Sequence, residues 1–250
     1  MTHDFGRFVW FELISADPQA AANFYGEVLG WKTQAMAMPN MTYTMIMQGD
    51  TAIGGFVPPP KEGVPPHWVS YVSVEDVDAS AQAVLDKGGK ALMDAFTVPT
   101  VGRMQPMTDN AGAAFFLFKS ENGDKPAETG PGFFHWNELL TGDPEGAVAF
   151  YEGALGYSHE TMDMPNGAYF VLKNGDAPRG GIVQPQAAGV PPHWQQYVTV
   201  RDCDAAVKRA EAHGGTVVSA AMDVPGVGRF ALIKDPVGGV LGVITPAAPM

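Results

Sequence analysis

The chain has 250 residues, 27 Asp and Glu against 15 Lys and Arg, and a formal net charge of −12. An acidic surface of this kind is unsuited to nucleic acid, whose phosphates must be met by basic groups. The single cysteine, Cys203, fits a reducing compartment, and neither a basic apolar leader nor an apolar run of membrane length is present, so the expectation is a cytoplasmic protein with no membrane partner.

Phe8 to Ile14 alternates in the manner of a strand. Asp17-Pro18 then supplies an N-cap followed by proline at the first helical position, and Ala21, Phe24, Tyr25, Val28 and Leu29 recur at helical spacing up to Gly30, a left-handed C-cap. Trp31 to Val57 is cut by Met38-Pro39-Asn40, Gly49-Asp50 and Gly54-Gly55 into three strands. A stiff connector from Pro58 to Pro66 leads into the same order again. His67 to Val74 is a strand, Asp78 to Lys87 a helix ended by Gly88-Gly89, and Lys90 to Met93, Arg103 to Thr108 and Ala113 to Phe118 are extended. The last two join through the turn Asp109-Asn110-Ala111-Gly112.

Everything then recurs. Trp10-Phe11-Glu12 returns as Trp136-Asn137-Glu138 and Val64-Pro65-Pro66-His67-Trp68 as Val190-Pro191-Pro192-His193-Trp194, a constant step of 126 residues. The same step carries Asp17-Pro18 to Asp143-Pro144, Phe24-Tyr25 to Phe150-Tyr151 and Val101-Gly102-Arg103 to Val227-Gly228-Arg229. A repeat of this length is a whole domain copied. The expected division is residues 1–119, a Gly-, Pro- and charge-rich linker at 120–132, and residues 133–250. Cys203 falls where the first copy has Val77, which points to a small buried apolar role.

Phe24-Tyr25-Gly26-Glu27-Val28-Leu29-Gly30, its repeat Phe150-Tyr151-Glu152-Gly153-Ala154-Leu155-Gly156, the Gly-Gly after each second helix and the turn Asp235-Pro236-Val237-Gly238 before the last strand resemble the vicinal oxygen chelate superfamily. That superfamily includes glyoxalase I, the bleomycin resistance proteins and the extradiol dioxygenases. The Trp-x-Glu and Val-Pro-Pro-His-Trp signatures are similar to those of a tandem glyoxalase-like subgroup. The resemblance implies an α+β fold of four βαβββ modules in two tandem domains, each an eight-stranded cup-like sheet. It also implies where a metal would be held, by one residue from the first strand and one from the last strand of each module. Those positions are Trp10, Gly55, Val69 and Phe116 in the first copy and Trp136, Gly181, Gln195 and Gly242 in the second. Only Gln195 offers an oxygen, so no metal and no other cofactor is expected.

What remains on that strand face is a carboxylate. Glu12 shares a face with Trp10, and Glu138 with Trp136, because side chains two apart on a strand point the same way. Glu12 and Glu138 are the candidate catalytic or ligand-holding acids, with apolar walls expected to raise their pKa; the plainer alternative is a structural anchor for an amide or an arginine. If the first strands of paired modules run antiparallel, Glu12 meets His67 and Glu138 meets His193, an acid and base pair; otherwise the histidines merely start strands at the rim. Trp10, Tyr43, Tyr71, Phe116, Trp136, Tyr169 and Tyr197 would line the cups with rings, or fill them as core. Gln195, Arg103 and Arg229 are further candidate ligand contacts, the arginines having a structural salt bridge as their alternative role. Walker loops, Gly-x-Gly-x-x-Gly helix openings, His-Glu-x-x-His, Cys-x-x-Cys and Gly-x-Ser-x-Gly are absent. The sequon Asn40-Met41-Thr42 carries no weight without a secretion signal. The expected function is metal-free binding of a small organic molecule in one or both cups, with Glu and His acid–base chemistry as an extension. The alternatives are a metal-dependent lyase, isomerase or dioxygenase and a non-catalytic interaction protein with filled cups. Homo-oligomerisation stays open.

Overall fold

The computed structural model describes residues 2–38, 41–164 and 167–247. The turns expected at Pro39-Asn40 and Pro165-Asn166, and the sequon residue Asn40, lie outside the described residues. The first module runs β1 (Phe8–Ile14), α1 (Pro18–Leu29), β2 (Lys32–Met38), β3 (Met41–Gln48) and β4 (Thr51–Val57). The second runs β5 (His67–Ser73), α2 (Val77–Asp86), β6 (Lys90–Ala91), β7 (Phe96–Val98), β8 (Gly102–Thr108) and β9 (Ala114–Ser120). The third comprises β10 (Phe134–Leu140), α3 (Pro144–Leu155), β11 (Ser158–Met164), β12 (Gly167–Asn174) and β13 (Ala177–Val183). The fourth comprises β14 (His193–Thr199), α4 (Cys203–Ala212), β15 (Thr216–Val224), β16 (Gly228–Lys234) and β17 (Val240–Pro246).

Local chemistry sets the helix ends. Asp17, Asp76, Asp143 and Asp202 each accept the backbone N–H three residues on, at 2.9 to 3.0 Å, which satisfies one donor that a helix start leaves over. Gly30 and Gly156 close α1 and α3 at φ 76° and 70°, a left-handed conformation in which any side chain is strained. Among the described residues no helix is long and apolar enough to cross a membrane.

The strands form two curled sheets, ordered β2-β3-β4-β1-β5-β9-β8-β6, with β7 also on β8, and β11-β12-β13-β10-β14-β17-β16-β15. This is the expected α+β architecture of half-barrel cups. Within each module the last strand returns beside the first and parallel to it, because the helix carries the chain across, while the remaining neighbours are antiparallel hairpins. Each sheet is drawn from one half of the sequence. The compact units are drawn from both halves, one being Met1–Trp10, Val69–Ala127 and Trp136–Gln195, the other Phe11–Trp68, Glu128–His135 and Gln196–Met250.

One module departs from its counterparts. The fourth has a nine-residue strand, β15, where the second has two short pieces, β6 and β7. At the break β8 carries Pro106, whose counterpart on β16 is Leu232, and β15 slips register against β16 at the same place, between Val217 and Met222. The Pro106 carbonyl accepts from Leu92 N–H at 2.9 Å, so its backbone polar groups face that strand, and there proline has no hydrogen to give. The ladder breaks beside it.

In the unit holding α1, Leu13 pairs in register with Phe56, and Tyr25 packs against Phe56 and Trp68 with ring centroids 6.0 and 5.5 Å away. These residues mark the helix-facing side of β1 and β4. Glu12 and Gly55, one position off, therefore lie on the opposite, concave side. The other unit repeats the division, with Leu139 and Ile182 buried and in register and Glu138 and Gly181 on the other face.

Candidate functional site

The parallel register of β1 and β4 sets Glu12 abreast of Gly55, and that of β10 and β13 sets Glu138 abreast of Gly181. Across each glycine lies a tyrosine from the neighbouring antiparallel strand. A Cβ placed on Gly55 would sit 2.1 Å from the Tyr43 hydroxyl, and one on Gly181 would sit 1.9 Å from that of Tyr169. No side chain is compatible with such distances, so glycine is the residue that lets the tyrosine in. The Tyr43 hydroxyl donates to Glu12 Oε1 at 2.6 Å, with Glu12 only 9% exposed. In the second copy Tyr169 is hydrogen-bonded to Glu138 and also receives the indole N–H of Trp136 at 2.8 Å. Burial, then the negative charge of Glu138, raises the Tyr169 pKa far above its ordinary value, so the hydroxyl keeps its proton.

Of the other family ligand positions, Trp10, Trp136 and Phe116 are rings and Gly242 is covered by one, while Val69 and Gln195 are buried side chains. Tyr71 lies in register with Phe116 and stacks on it, centroids 4.2 Å apart. Gly242 lies in register with Tyr197, whose ring would stand 2.2 Å from an added Cβ, and Tyr197 meets Phe230 edge-on at 5.7 Å. Gln195 is buried, Trp10 and Trp136 are half-buried, and the Lys125 ammonium lies 5.8 Å from the Trp10 ring centroid. Among the described residues no three His, Cys, Asp or Glu side chains gather where they could share an ion. A superfamily metal needs donors from paired first and last strands; here the last strands offer Gly55, Gly181, Gly242 and Phe116, with a tyrosine over each glycine. The residues present do not fit that group.

His67 and His193 hold their own connectors, each Nδ1 lying 2.8 Å from the carbonyl of Pro65 or Pro191. A carbonyl only accepts, so Nδ1 carries the proton and Nε2 of the neutral ring is the basic nitrogen. Arg103 makes a two-pronged ion pair with Asp78 at 2.9 and 2.6 Å, and Arg229 does the same with Asp204 at 2.8 and 2.9 Å while also reaching Asp223 at 2.8 Å. Both arginines thus clamp the first turn of a helix. The structure joins Glu12 to Tyr43 and Glu138 to Tyr169, a pairing that strand period alone did not single out because it reaches from β1 over Gly55 on β4 to β3, and from β10 over Gly181 on β13 to β12.

A second buried polar set explains motifs that carry the resemblance. Trp68 Nε1 donates to the Tyr25 hydroxyl at 3.2 Å, and Tyr25 is coupled to the Asp235 carboxylate. Trp194 Nε1 donates to Tyr151 at 2.8 Å, and Tyr151 donates to Asp109 Oδ2 at 3.2 Å. Oδ1 of each aspartate accepts three successive backbone N–H groups of its own turn. These groups tie helix to turn on the side away from the Glu and Tyr pairs.

Comparison with known proteins agrees with this architecture. The family described as "Bleomycin resistance protein-like N-terminal" matches residues 7–49, and that described as "Glyoxalase-like domain" matches residues 138–244. "Putative glyoxylase CFP32" of Mycobacterium tuberculosis is 40% identical over 247 residues, covering 95% of this chain and 94% of the relative. "Anthracycline biosynthesis protein DnrV" of Streptomyces peucetius is 31% identical over 256 residues, covering 96% and 93%. Among solved structures, the Mn(II)-bound glyoxalase from Novosphingobium aromaticivorans superposes with a TM-score of 0.64 at 16% identity, over 96% of this chain and 81% of that one. The catechol dioxygenase BphC gives 0.64 at 15% identity, over 100% and 89%. The chain belongs to the vicinal oxygen chelate superfamily, as a glyoxalase-like protein of four βαβββ modules.

Proposed function

We propose that the chain binds a small organic molecule on the concave face of one or both sheets, with Glu12 and Glu138 as its polar anchors and no divalent metal at the superfamily's ligand positions. The observation that carries this reading is the tyrosine hydroxyl lying over Gly55 and Gly181, hydrogen-bonded to the glutamate abreast of each glycine. A carboxylate with a tyrosine behind it replaces a cation with an acceptor. The ring of Tyr43 beside Glu12, and those of Tyr169 and Trp136 beside Glu138, suit a flat, largely apolar ligand. A ring compound also accords with the anthracycline biosynthesis named for the Streptomyces relative and the bleomycin resistance named for the family. We read residues 1–119 and 133–250 as the two ligand-binding domains, joined through 120–132, in a cytoplasmic protein, the single cysteine supporting the last point.

A second reading adds turnover. His67 and His193 each have Nδ1 committed to a carbonyl and so present Nε2 as a base, which favours proton transfer alongside Glu12 and Glu138.

The test is a titration of protein purified without chelator, following tryptophan fluorescence against a panel of ring compounds, with metal content read by mass spectrometry. A hemithioacetal isomerisation assay is run with and without added zinc, nickel and manganese. Binding by the metal-free protein supports the proposal. About one metal ion per domain held by side chains at these positions, or turnover only when metal is added, overturns it.

A further inference from the structure

We infer that the unit holding α1 carries a second binding site, distinct from the glutamate and tyrosine pairs, that takes a small carboxylate between the hydroxyl of Thr199 and the guanidinium groups of Arg201 and Arg209. These residues line a cleft of about 280 Å³ where the end of α1 and the start of α4 come together.

The other unit shows what this place is built to hold. There Gly6 N–H donates to Ser73 O at 2.8 Å, Ser73 N–H to Arg7 O at 2.9 Å, and the Tyr157 hydroxyl to Gly6 O at 2.7 Å. The same frame recurs at the 126-residue step in the unit holding α1. Gly132 N–H donates to Thr199 O at 2.8 Å, Thr199 N–H to Phe133 O at 3.0 Å, and Trp31 Nε1 to Gly132 O at 2.7 Å. Within the first frame Ser73 Oγ donates to Asp124 Oδ2 at 2.5 Å and Asp4 N–H to the same oxygen at 2.8 Å, with the Asp124 side chain only 1% exposed. The hydroxyl at this position is therefore a carboxylate's partner. Its counterpart Thr199 is 8% exposed and lines the cleft, and its hydroxyl has no partner among the described residues. A hydroxyl so buried calls for one.

The two copies also differ in charge around it. Arg201 and Arg209 stand where the first copy has Glu75 and Ala83. The unit that supplies its own carboxylate thus has an acid and a methyl group at these positions, and the unit with the open cleft has two cations. Arg209 Nε donates to Val28 O at 3.2 Å; its terminal nitrogens and the whole Arg201 guanidinium have no partner among the described residues. The acids on the wall are engaged elsewhere, Asp202 Oδ1 accepting from Ala205 N–H at 2.9 Å and Glu27 Oε2 lying 3.9 Å from His213 Nε2. The partial charges of a helix end and a helix start oppose one another, so the side chains set the preference. Two guanidinium forks and a hydroxyl match the acceptor geometry of a carboxylate.

The test titrates succinate and its neutral diamide, succinamide, into the full chain by calorimetry in a chloride buffer of low ionic strength. Succinate should bind at least about tenfold more tightly than succinamide. The double variant Arg201→Glu, Arg209→Ala installs the first copy's residues and should abolish that preference, and Thr199→Val should weaken succinate by about tenfold. Arg201 is exposed, so Arg201→Glu alone decides the matter if the double variant fails to fold. Succinate bound no better than succinamide, neither compound bound at millimolar concentration, or the full preference kept by folded Arg201→Glu protein overturns the inference.

Discussion

Tyr151 on α3 donates its hydroxyl hydrogen to Asp109 Oδ2 at 3.2 Å while receiving the indole hydrogen of Trp194 at 2.8 Å. The tyrosine is fully buried, and burial first, then the negative charge of Asp109, raises its pKa well above the ordinary value, so it stays a donor. Tyr25 occupies the equivalent place against Asp235 and Trp68. Tyr151→Phe removes one hydroxyl and strands two partners, the indole N–H and one carboxylate oxygen. The expected loss is about 1 to 3 kcal/mol of unfolding free energy, read by urea titration. A loss below roughly 0.5 kcal/mol would show that water replaces the hydroxyl and that the bond holds nothing.

The close approach of Tyr43 to Gly55 predicts a coupled pair. Gly55→Ala puts a methyl 2.1 Å from the tyrosine oxygen, so either the ring leaves Glu12 or the strand moves. The single variant should lose on the order of 1 to 3 kcal/mol, as overpacking does. In a Tyr43→Ala background the same change should cost far less, and the double-mutant cycle should give a coupling of at least about 1 kcal/mol. Additive effects would mean that the two residues do not meet.

Much of this fold was legible from short-range signals. Asp17-Pro18 and Gly30 mark a helix because an N-cap, a fixed φ and a left-handed C-cap act within a few residues. Strand period put Glu12 on the face of Trp10, the resemblance turned that face into the cup, and the 126-residue step made the reading twice. What stayed out of reach depends on register and on distance along the chain. Tyr43 lies diagonally from Gly55, and between Ile46 and Met47 the strand pair shifts by a residue, a bulge that no pattern in the sequence announces. Tyr151 and Asp109 are 42 residues apart and meet only through tertiary packing. A salt bridge was the expected role of Arg103, but its partner Asp78, 25 residues away at the start of a helix, was not legible. The break between β6 and β7 was hidden because it falls at a bulge, one that β15 shares between Val217 and Met222, and a bulge depends on how two strands pair.

That break gives a third prediction. Pro106→Leu installs the residue that the fourth module uses at Leu232 and restores the missing backbone donor on the β6 and β7 side. Hydrogen exchange should show the new amide protected and slower exchange at Leu92, with global stability changed by less than about 1 kcal/mol. Unprotected exchange at residue 106 in a folded variant would show that the interruption has another cause.

Cys203 is buried at the start of α4, and burial first, then the negative charge of Asp204, pushes its thiol pKa up to about 11. A thiol kept protonated and covered is a poor nucleophile. An aromatic disulfide reagent at pH 8 should label the native protein hardly at all over an hour and should label one thiol per chain once urea is added. Rapid stoichiometric labelling of the native chain would place Cys203 at the surface.

The two turn aspartates predict how stability varies with pH. Burial is the first cause that raises the pKa of Asp109 and Asp235, and three backbone N–H groups on each only partly offset it. A carboxyl whose folded-state pKa lies above its unfolded value binds its proton more tightly in the folded chain. Its contribution to stability is therefore full below the unfolded value, near 3.8, and is lost as pH rises through the folded value. Asparagine mimics the protonated form at every pH and keeps an oxygen for the three amides. The double variant Asp109→Asn, Asp235→Asn should therefore compare with the parent more favourably at pH 7 than at pH 4, measured by urea unfolding at both. If instead the variant is weakest relative to the parent at pH 7, the backbone amides outweigh burial and both carboxyls are held below their ordinary pKa.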